Sequence, residues 1–335
     1  MTLPTRKIGP FEVSAISLGC MNLNHAYDNP PAPEEAARLL NRALDLGCTM
    51  LDSAALYGIG ENERLISRAV MHRKDEFTLA TKCVLFGENG QRHLDGRPEV
   101  IRRTVEGSLQ RLGIDTVDLC YLHRLDRNVP IEESIGALAD LHREGKIRAA
   151  GVSEMSAETI RRAHAVFPLA AVQSEYSPWV RNPEVAVLDA CRELGIAFVA
   201  FSPVGRGFLG DSVHSTDFVS GDIRAAMPRF AEPNFSANLK LLDEFREVAR
   251  NVGCTPAQLS IAWVLARGDH IIPIPGTRSI PHLEENFGAL DVALTTETIA
   301  AIDQIFAPGR VQGNRYSPAV QAQIDTELLP EEKPA

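Results

Sequence analysis

No stretch of this 335-residue chain is long enough and apolar enough to span a bilayer. Its start, Met1-Thr2-Leu3-Pro4-Thr5-Arg6-Lys7, also lacks the apolar run of a signal peptide. The expectation is a cytoplasmic protein with no membrane partner. Basic charge is in deficit: 34 Lys and Arg stand against 44 Asp and Glu, a net charge of −10. That balance argues against a nucleic-acid partner and against an anionic membrane surface. Cysteine is sparse, with six residues (Cys20, Cys48, Cys83, Cys120, Cys191 and Cys254) and no Cys-x-x-Cys pair. Free thiols in a reducing compartment fit this spacing better than a disulfide framework or a zinc site, and no metal is expected. No internal repeat is evident beyond a strand–helix unit. What is present is an ordinary 44% apolar content, enough for a large core.

Short apolar runs alternate with helical patterns. The stretch 7–13 reads as a hairpin turning at Gly9-Pro10. Strands are expected at 14–19, 49–51, 77–82, 117–122, 147–152, 169–173, 196–201 and 270–274. Between them, Ala36, Leu39, Leu40, Ala43 and Leu44 recur at helical spacing after Pro33-Glu34-Glu35, and Gly47 stops that helix. Ile101, Val105, Leu109 and Leu112 do the same between Pro98 and Gly113. Further helices are expected at 61–70, 130–145, after an N-capping Ser156, and at 280–290. Eight near-continuous apolar strands separated by helices imply an α/β fold, a single (β/α)8 TIM-type barrel with a short N-terminal β-hairpin. The competitor is an open doubly wound sheet. The barrel is expected to occupy 1–306. A Pro- and Glu-rich tail follows at 307–335, partly disordered at its end. The connection 203–234 has little periodicity, as functional or mobile loops do.

Ionisable residues close successive strands. Leu51-Asp52-Ser53-Ala54-Ala55-Leu56-Tyr57-Gly58 ends one, Lys82 the next and His123 the one after. In a parallel barrel those ends meet on one face. A tyrosine titrates near ~10 in water, and an adjacent ammonium stabilises its phenolate. A carboxylate beside the ammonium keeps it charged. A histidine opposite can orient a substrate oxygen or help in proton transfer. Asp52, Tyr57, Lys82 and His123 supply those parts. The ordinary alternative is a buried Asp52–Lys82 ion pair, a packed Tyr57 and a capping His123. Further on, Gly205-Arg206-Gly207-Phe208-Leu209-Gly210 matches Gly-x-Gly-x-x-Gly after a strand, but no periodic helix follows. It suits a phosphate-wrapping loop after the seventh barrel strand better than a dinucleotide-binding βαβ unit. Pro275-Gly276-Thr277-Arg278-Ser279, after the eighth strand and before a helix, is a second phosphate candidate.

Together these motifs resemble the aldo-keto reductases from about Arg6 to Leu290. Matching features include Leu18-Gly19-Cys20-Met21, Asp52 to Gly58, Thr81-Lys82, Leu122-His123-Arg124 and Gly151-Val152-Ser153-Glu154. Others are Gln173-Ser174-Glu175-Tyr176, the run from Phe201 to Leu209, and Ile274 to Arg278 with Glu285-Asn286. The resemblance implies carbonyl reduction with NADPH on a small-molecule carbonyl substrate. By it, Tyr57 is the general acid, Lys82 and Asp52 tune it, and His123 orients the carbonyl. Ser153 and Gln173 would hold the nicotinamide carboxamide, and Phe201 would stack on the ring. Ser202, Pro203, Gly205, Gly207 and Leu209 would line the pyrophosphate. Thr277 and Arg278 would meet the 2′-phosphate, and Glu285 and Asn286 the adenine. Gly19, Cys20, Met21 and Gly276 also fall on coenzyme-lining positions. The chain departs from many relatives at Glu154, where Asn is usual, although a bacterial branch including pyridoxal-reductase-like proteins resembles it there. It departs again at Phe201 (often Tyr) and at Gly276 (Lys in some relatives). Leu56, Phe86 and Trp179, with Met21 and Tyr316, are the expected substrate lining, a mostly apolar site suiting aromatic aldehydes, pyridoxal or bulky ketones. A monomer or small homo-oligomer is expected. A Schiff-base aldolase on Lys82 and a slow-turnover coenzyme-binding module are the rival functions.

Overall fold

The computed structural model of the protein describes residues 3–27 and 30–332. The chain opens on a hairpin, β1 (Thr5–Ile8) and β2 (Phe11–Ser14), whose Gly9 turns at φ +54°. It continues through β3 (Leu18–Gly19), α1 (Pro33–Asp45), β4 (Met50–Asp52), α2 (Glu61–Val70) and β5 (Thr78–Cys83). A second hairpin, β6 (Leu85–Glu88) and β7 (Gln91–Leu94), precedes α3 (Pro98–Leu112), β8 (Val117–Leu122), α4 (Ile131–Arg143) and β9 (Ile147–Ser153). Then come α5 (Ala157–Val166), β10 (Leu169–Glu175), α6 (Val187–Leu194), β11 (Ala197–Phe201), α7 (Asn234–Val252), α8 (Pro256–Leu265) and β12 (Ile271–Ile274). Helices α9 (Ile280–Phe287), α10 (Thr296–Ile305) and α11 (Pro318–Gln321) end the chain.

Eight strands form one parallel sheet in the order β3-β4-β5-β8-β9-β10-β11-β12. The sheet closes on itself: Ser17 N donates to Pro273 O at 3.0 Å and Gly19 N to Pro275 O at 3.3 Å. Two apolar layers follow from the strand alternation. Met50, Leu119, Tyr121, Val199 and Ile272 fill the barrel interior together with Ile8, Phe11 and Val13 of the hairpin, which plugs one end. The opposite strand faces pack on the helical ring, where the apolar stripes of α1 and α3 lie buried as their spacing predicts.

Three local departures have physical causes. The first barrel strand is two residues long, not six, because Ser14 belongs to β2. Its hydroxyl donates to Ile16 O at 2.7 Å and that of Ser17 to Ser14 O at 3.1 Å, bending the chain from hairpin to barrel. The β6–β7 hairpin, absent from the expected strands, turns at Asn89 (φ +52°) and Gly90 (φ +74°), a positive-φ pair that Asn-Gly supplies at little cost. Between β11 and β12 stand two helices. The second carries a capping box at Thr255 and Gln258.

The tail folds back over the barrel mouth. Asp325 N donates to Glu154 O at 3.0 Å, Asn182 Nδ2 to Glu327 O at 3.1 Å, and Arg229 pairs with Glu332 at 3.2 Å. The disorder expected at the very end falls on residues 333–335, outside the described residues. Among the described residues no helix is long and apolar enough to cross a membrane.

Candidate active site

Asp52 closes β4, Lys82 lies one residue from the end of β5, and His123 follows β8, so adjacent parallel strands deliver all three to one rim. Tyr57 arrives from a turn after β4 in which Gly58, Ile59 and Gly60 all hold positive φ. A side chain at Gly58 would also place its Cβ 3.0 Å from Asn24 Cβ, so the turn that aims Tyr57 requires glycine there.

Lys82 Nζ spends its donors on Asp52 Oδ1, on Ser53 O at 2.8 Å and on Tyr57 Oη at 3.2 Å. Asp52 Oδ2 accepts from Gln173 Nε2 at 2.7 Å. The His123 ring stands edge-on to Tyr57 with centroids 5.8 Å apart, and His25 stacks on the other side at 5.9 Å. Burial would lower the Lys82 ammonium, but Asp52 and Tyr57 more than offset it and hold it above its ordinary value. Burial pushes the Tyr57 phenol up, and Lys82 pulls it only part of the way back. The ammonium therefore does lower the phenol, as expected, yet the net direction is upward. His123 lies well below its ordinary value through burial, then Arg124, Lys82 and Arg92, and so is neutral near pH 7. Its Nδ1 is buried without a protein partner.

These groups face a cavity of about 760 Å³ that runs across the mouth. Its wall includes Gly19, Met21, Asp52, Leu56, Tyr57, His123, Ser153, Gln173, Phe201, Ser202, Pro203, Gly207, Gly276, Thr277, Arg278, Glu285, Asn286 and Tyr316. Lys82 lies directly beneath, behind Tyr57. Five expected lining residues are elsewhere. The Cys20 thiol is buried and turned onto Leu18 O at 3.7 Å. Leu209 is fully buried, and Gly205 is covered by Leu209 and Trp179. Trp179 stacks on Phe208 at 4.1 Å and meets Phe230 edge-on, so it belongs to the core beside the mouth. Phe86 stacks on His93 within the β6–β7 hairpin. Packing against neighbouring aromatics withdrew both rings from the substrate side.

The glycine loop after β11 forms a tight turn, with Ser202, Gly205, Arg206 and Gly207 all at positive φ, and only short 3-10 turns, no α-helix, precede Asn234. A Cβ at Gly276 would fall 2.5 Å from Asn22 Oδ1, so backbone approaches closely here too. Thr277 accepts from Ser279 N at 3.1 Å, and Ser279 caps α9 by accepting from His282 N at 3.5 Å. Turn backbone, a helix N-terminus and an arginine suit a phosphorylated dinucleotide lying along this wall. One Gln173 amide N–H is committed to Asp52, leaving its oxygen and second N–H for a ligand.

Several wall residues carried no expectation. They are His25, Tyr27, Arg92, Arg124, Arg206 and Arg224. Arg206 joins a buried charge cluster under the mouth, pairing with Glu175 at 2.8 Å. Glu175 also accepts from Arg315 Nε at 3.0 Å and Tyr316 Oη at 2.9 Å. Glu154 pairs with Arg315 and accepts from Thr326 Oγ1 at 3.1 Å. Burial alone would raise the Glu175 carboxyl, but Arg206 and Arg315 bring it down to about 2. Glu154, a departure from the family pattern, thus anchors the tail. Among the described residues no group of three or more His, Cys, Asp or Glu could hold a metal ion.

A closed parallel barrel with a buried, hydrogen-bonded Asp–Lys–Tyr chain at the mouth, beside a histidine and a long cleft, defines a class of barrel oxidoreductases. The chain belongs to the aldo/keto reductase family, whose model matches residues 15–307. A Schizosaccharomyces pombe protein named as an NADP(+) aldo-keto reductase is 46% identical, covering 98% of this chain and 100% of that protein. An aldo-keto reductase of Strobilurus tenacellus is 40% identical, covering 99% and 100%. The solved structure of a glycerol dehydrogenase from Gluconobacter oxydans superposes with a TM-score of 0.84 at 32% identity, covering 94% of this chain and 98% of that one.

Proposed function

We propose that the protein reduces an aldehyde or ketone to an alcohol, with NADPH as coenzyme and Tyr57 as proton donor. The observation that carries this is the hydrogen-bonded Asp52–Lys82–Tyr57 chain opening onto the cavity beside His123. When bound, the coenzyme supplies a hydride to the carbonyl carbon. Tyr57 Oη gives its proton to the carbonyl oxygen. Its raised value keeps it protonated until then, and Lys82 stabilises the phenolate left behind. Neutral His123 orients the carbonyl oxygen by a hydrogen bond rather than protonating it. Ser153 and Gln173 would meet the carboxamide and Phe201 the ring face. The Ser202-to-Gly207 turn would hold the pyrophosphate, Thr277 and Arg278 the 2′-phosphate, and Glu285 and Asn286 the adenine.

A Schiff base needs a neutral, accessible amine. Lys82 is held charged, has every donor engaged and is enclosed, so the aldolase alternative gains no support. The test is NADPH consumption with an aldehyde panel. Tyr57→Phe keeps the ring and should lower kcat by about 10²–10⁴-fold, with NADPH affinity little changed. A kcat within a few-fold, with chemistry rate-limiting, would remove Tyr57 as the acid. Negligible turnover by the unaltered protein, with NADPH still bound, would favour a coenzyme-binding module.

A further inference from the structure

The substrate end of the cavity keeps Met21, Leu56 and Tyr316 of the apolar lining expected from the sequence and adds two arginines to it. Arg92, on the β6–β7 hairpin, and Arg124, immediately after His123, both line the wall that holds Tyr57 and His25. Two other arginines of that wall are engaged by carboxylates: Arg206 with Glu175 at 2.8 Å and Arg224 with Asp222 at 2.6 Å. Arg278 stands at the opposite end, before α9. Arg92 and Arg124 have no carboxylate within ion-pair distance among the described residues. Arg92 donates to Gln323 Oε1 at 2.6 Å, and Arg124 donates to His123 O at 2.5 Å and Ser153 Oγ at 3.3 Å, all neutral acceptors.

Nearby acids do not neutralise them. Asp52 is committed to Lys82 and Gln173. Glu154 lies within electrostatic range of Arg124 but is hydrogen-bonded to Arg315 and Thr326. The two guanidiniums also act on each other and on their surroundings. Arg92 is held below its ordinary value by partial burial and then by Arg124, and His25 by burial and then by Arg92. Like charges gathered at a half-enclosed site without a counter-charge are unfavourable until an anion arrives. Guanidinium forks match the oxygens of carboxylates and phosphates.

We propose that Arg92 and Arg124 form an anion subsite, and that the preferred carbonyl substrate carries a carboxylate or phosphate on the same small molecule. This rests on the reductase function proposed above. The experiment compares kcat/KM, with NADPH, for para-carboxybenzaldehyde, para-formylphenyl phosphate and the neutral methyl ester of the first. The anionic aldehydes should lead by roughly tenfold, mainly through KM, and the lead should shrink as salt rises. The ranking of the two anions identifies which headgroup the site takes. Arg92→Gln should bring the anion-to-ester ratio toward one, and Arg92→Lys should restore part of it. Arg92 sits on an exposed hairpin, so these variants should fold. An anion-to-ester ratio near one in the unaltered protein, or equal losses on both substrates in Arg92→Gln, would overturn the subsite while leaving the reductase intact. Absence of turnover with every aldehyde would overturn both.

Discussion

Replacing Arg315 by methionine tests the charge cluster that ties the tail to the barrel. Arg315 donates to both oxygens of Glu154 and to Glu175, and its side chain is 3% exposed. The losses are unequal. Glu175 keeps Arg206 at 2.8 Å and the Tyr316 hydroxyl at 2.9 Å. Glu154 keeps only two uncharged donors, Glu175 N at 2.8 Å and Thr326 Oγ1 at 3.1 Å. The variant therefore leaves one buried carboxylate without a cation in contact, with Arg124 acting on it only from a distance. Breaking a buried pair in this way costs about 3–5 kcal/mol, and the two remaining hydrogen bonds place this case near the lower end. Denaturant unfolding measures the loss, and limited proteolysis shows whether the tail detaches to let water reach Glu154. Adding Glu154→Gln removes the orphaned charge while keeping an acceptor, so the double variant should regain more than half. The deficit should also depend on pH. In the unaltered protein Glu154 is held below the ordinary range, because Arg315 outweighs the upward push of burial. A carboxyl depressed on folding contributes stability fully above its unfolded value, ~4.3, and loses it as pH falls through the folded value. Without Arg315, burial raises Glu154. The gap between the two proteins should therefore be widest near neutrality and close as pH falls below ~4.3. A loss under about 0.5 kcal/mol, or a double variant no more stable than the single, would refute the reasoning.

Two further outcomes follow from the coenzyme and relay geometry. Arg278→Ala should weaken NADPH by on the order of tenfold to a few hundredfold, through lost charge-assisted hydrogen bonds to the 2′-phosphate, and leave NADH little changed. Fluorescence titration with both coenzymes checks it, and equal weakening would point to a general loss of the β12 loop. Borohydride with a carbonyl substrate and no coenzyme should leave Lys82 unmodified, because Asp52 keeps it an ammonium. A peptide map showing an adduct there would contradict the relay.

The parts that announced themselves in the sequence are those set by local periodicity and chain punctuation. Helix α3 begins at Pro98 and ends before Gly113, which sits at φ +72°, where its residues place it. Asp52, Lys82 and His123 could be aligned because parallel strands share one direction. Pairings across the chain could not be read this way. Glu154 and Arg315 stand 161 positions apart, and neither spacing nor composition links them. The β6–β7 hairpin did leave a signal, Asn89-Gly90, and with it Arg92 could have been brought to the rim. Trp179 and Phe86 show the opposite limit: an aromatic beside a motif can pack into the core or along a hairpin as readily as face the cleft, and only its packing partners decide.

The tail anchor bears on how such enzymes can be recombined. A designer wishing to change substrate range would naturally exchange the segment that carries Tyr316 and Ser317 over the cavity. That segment brings Arg315 with it, while its counter-charges stay behind at the ends of β9 and β10. A donor tail with a neutral residue at 315 would inherit an acid it cannot satisfy. Conversely, this tail grafted onto a barrel with asparagine at 154 would bury a guanidinium with one carboxylate fewer. Positions 154 and 315 therefore form one module, and transplanting the loop means transplanting the glutamate beneath it.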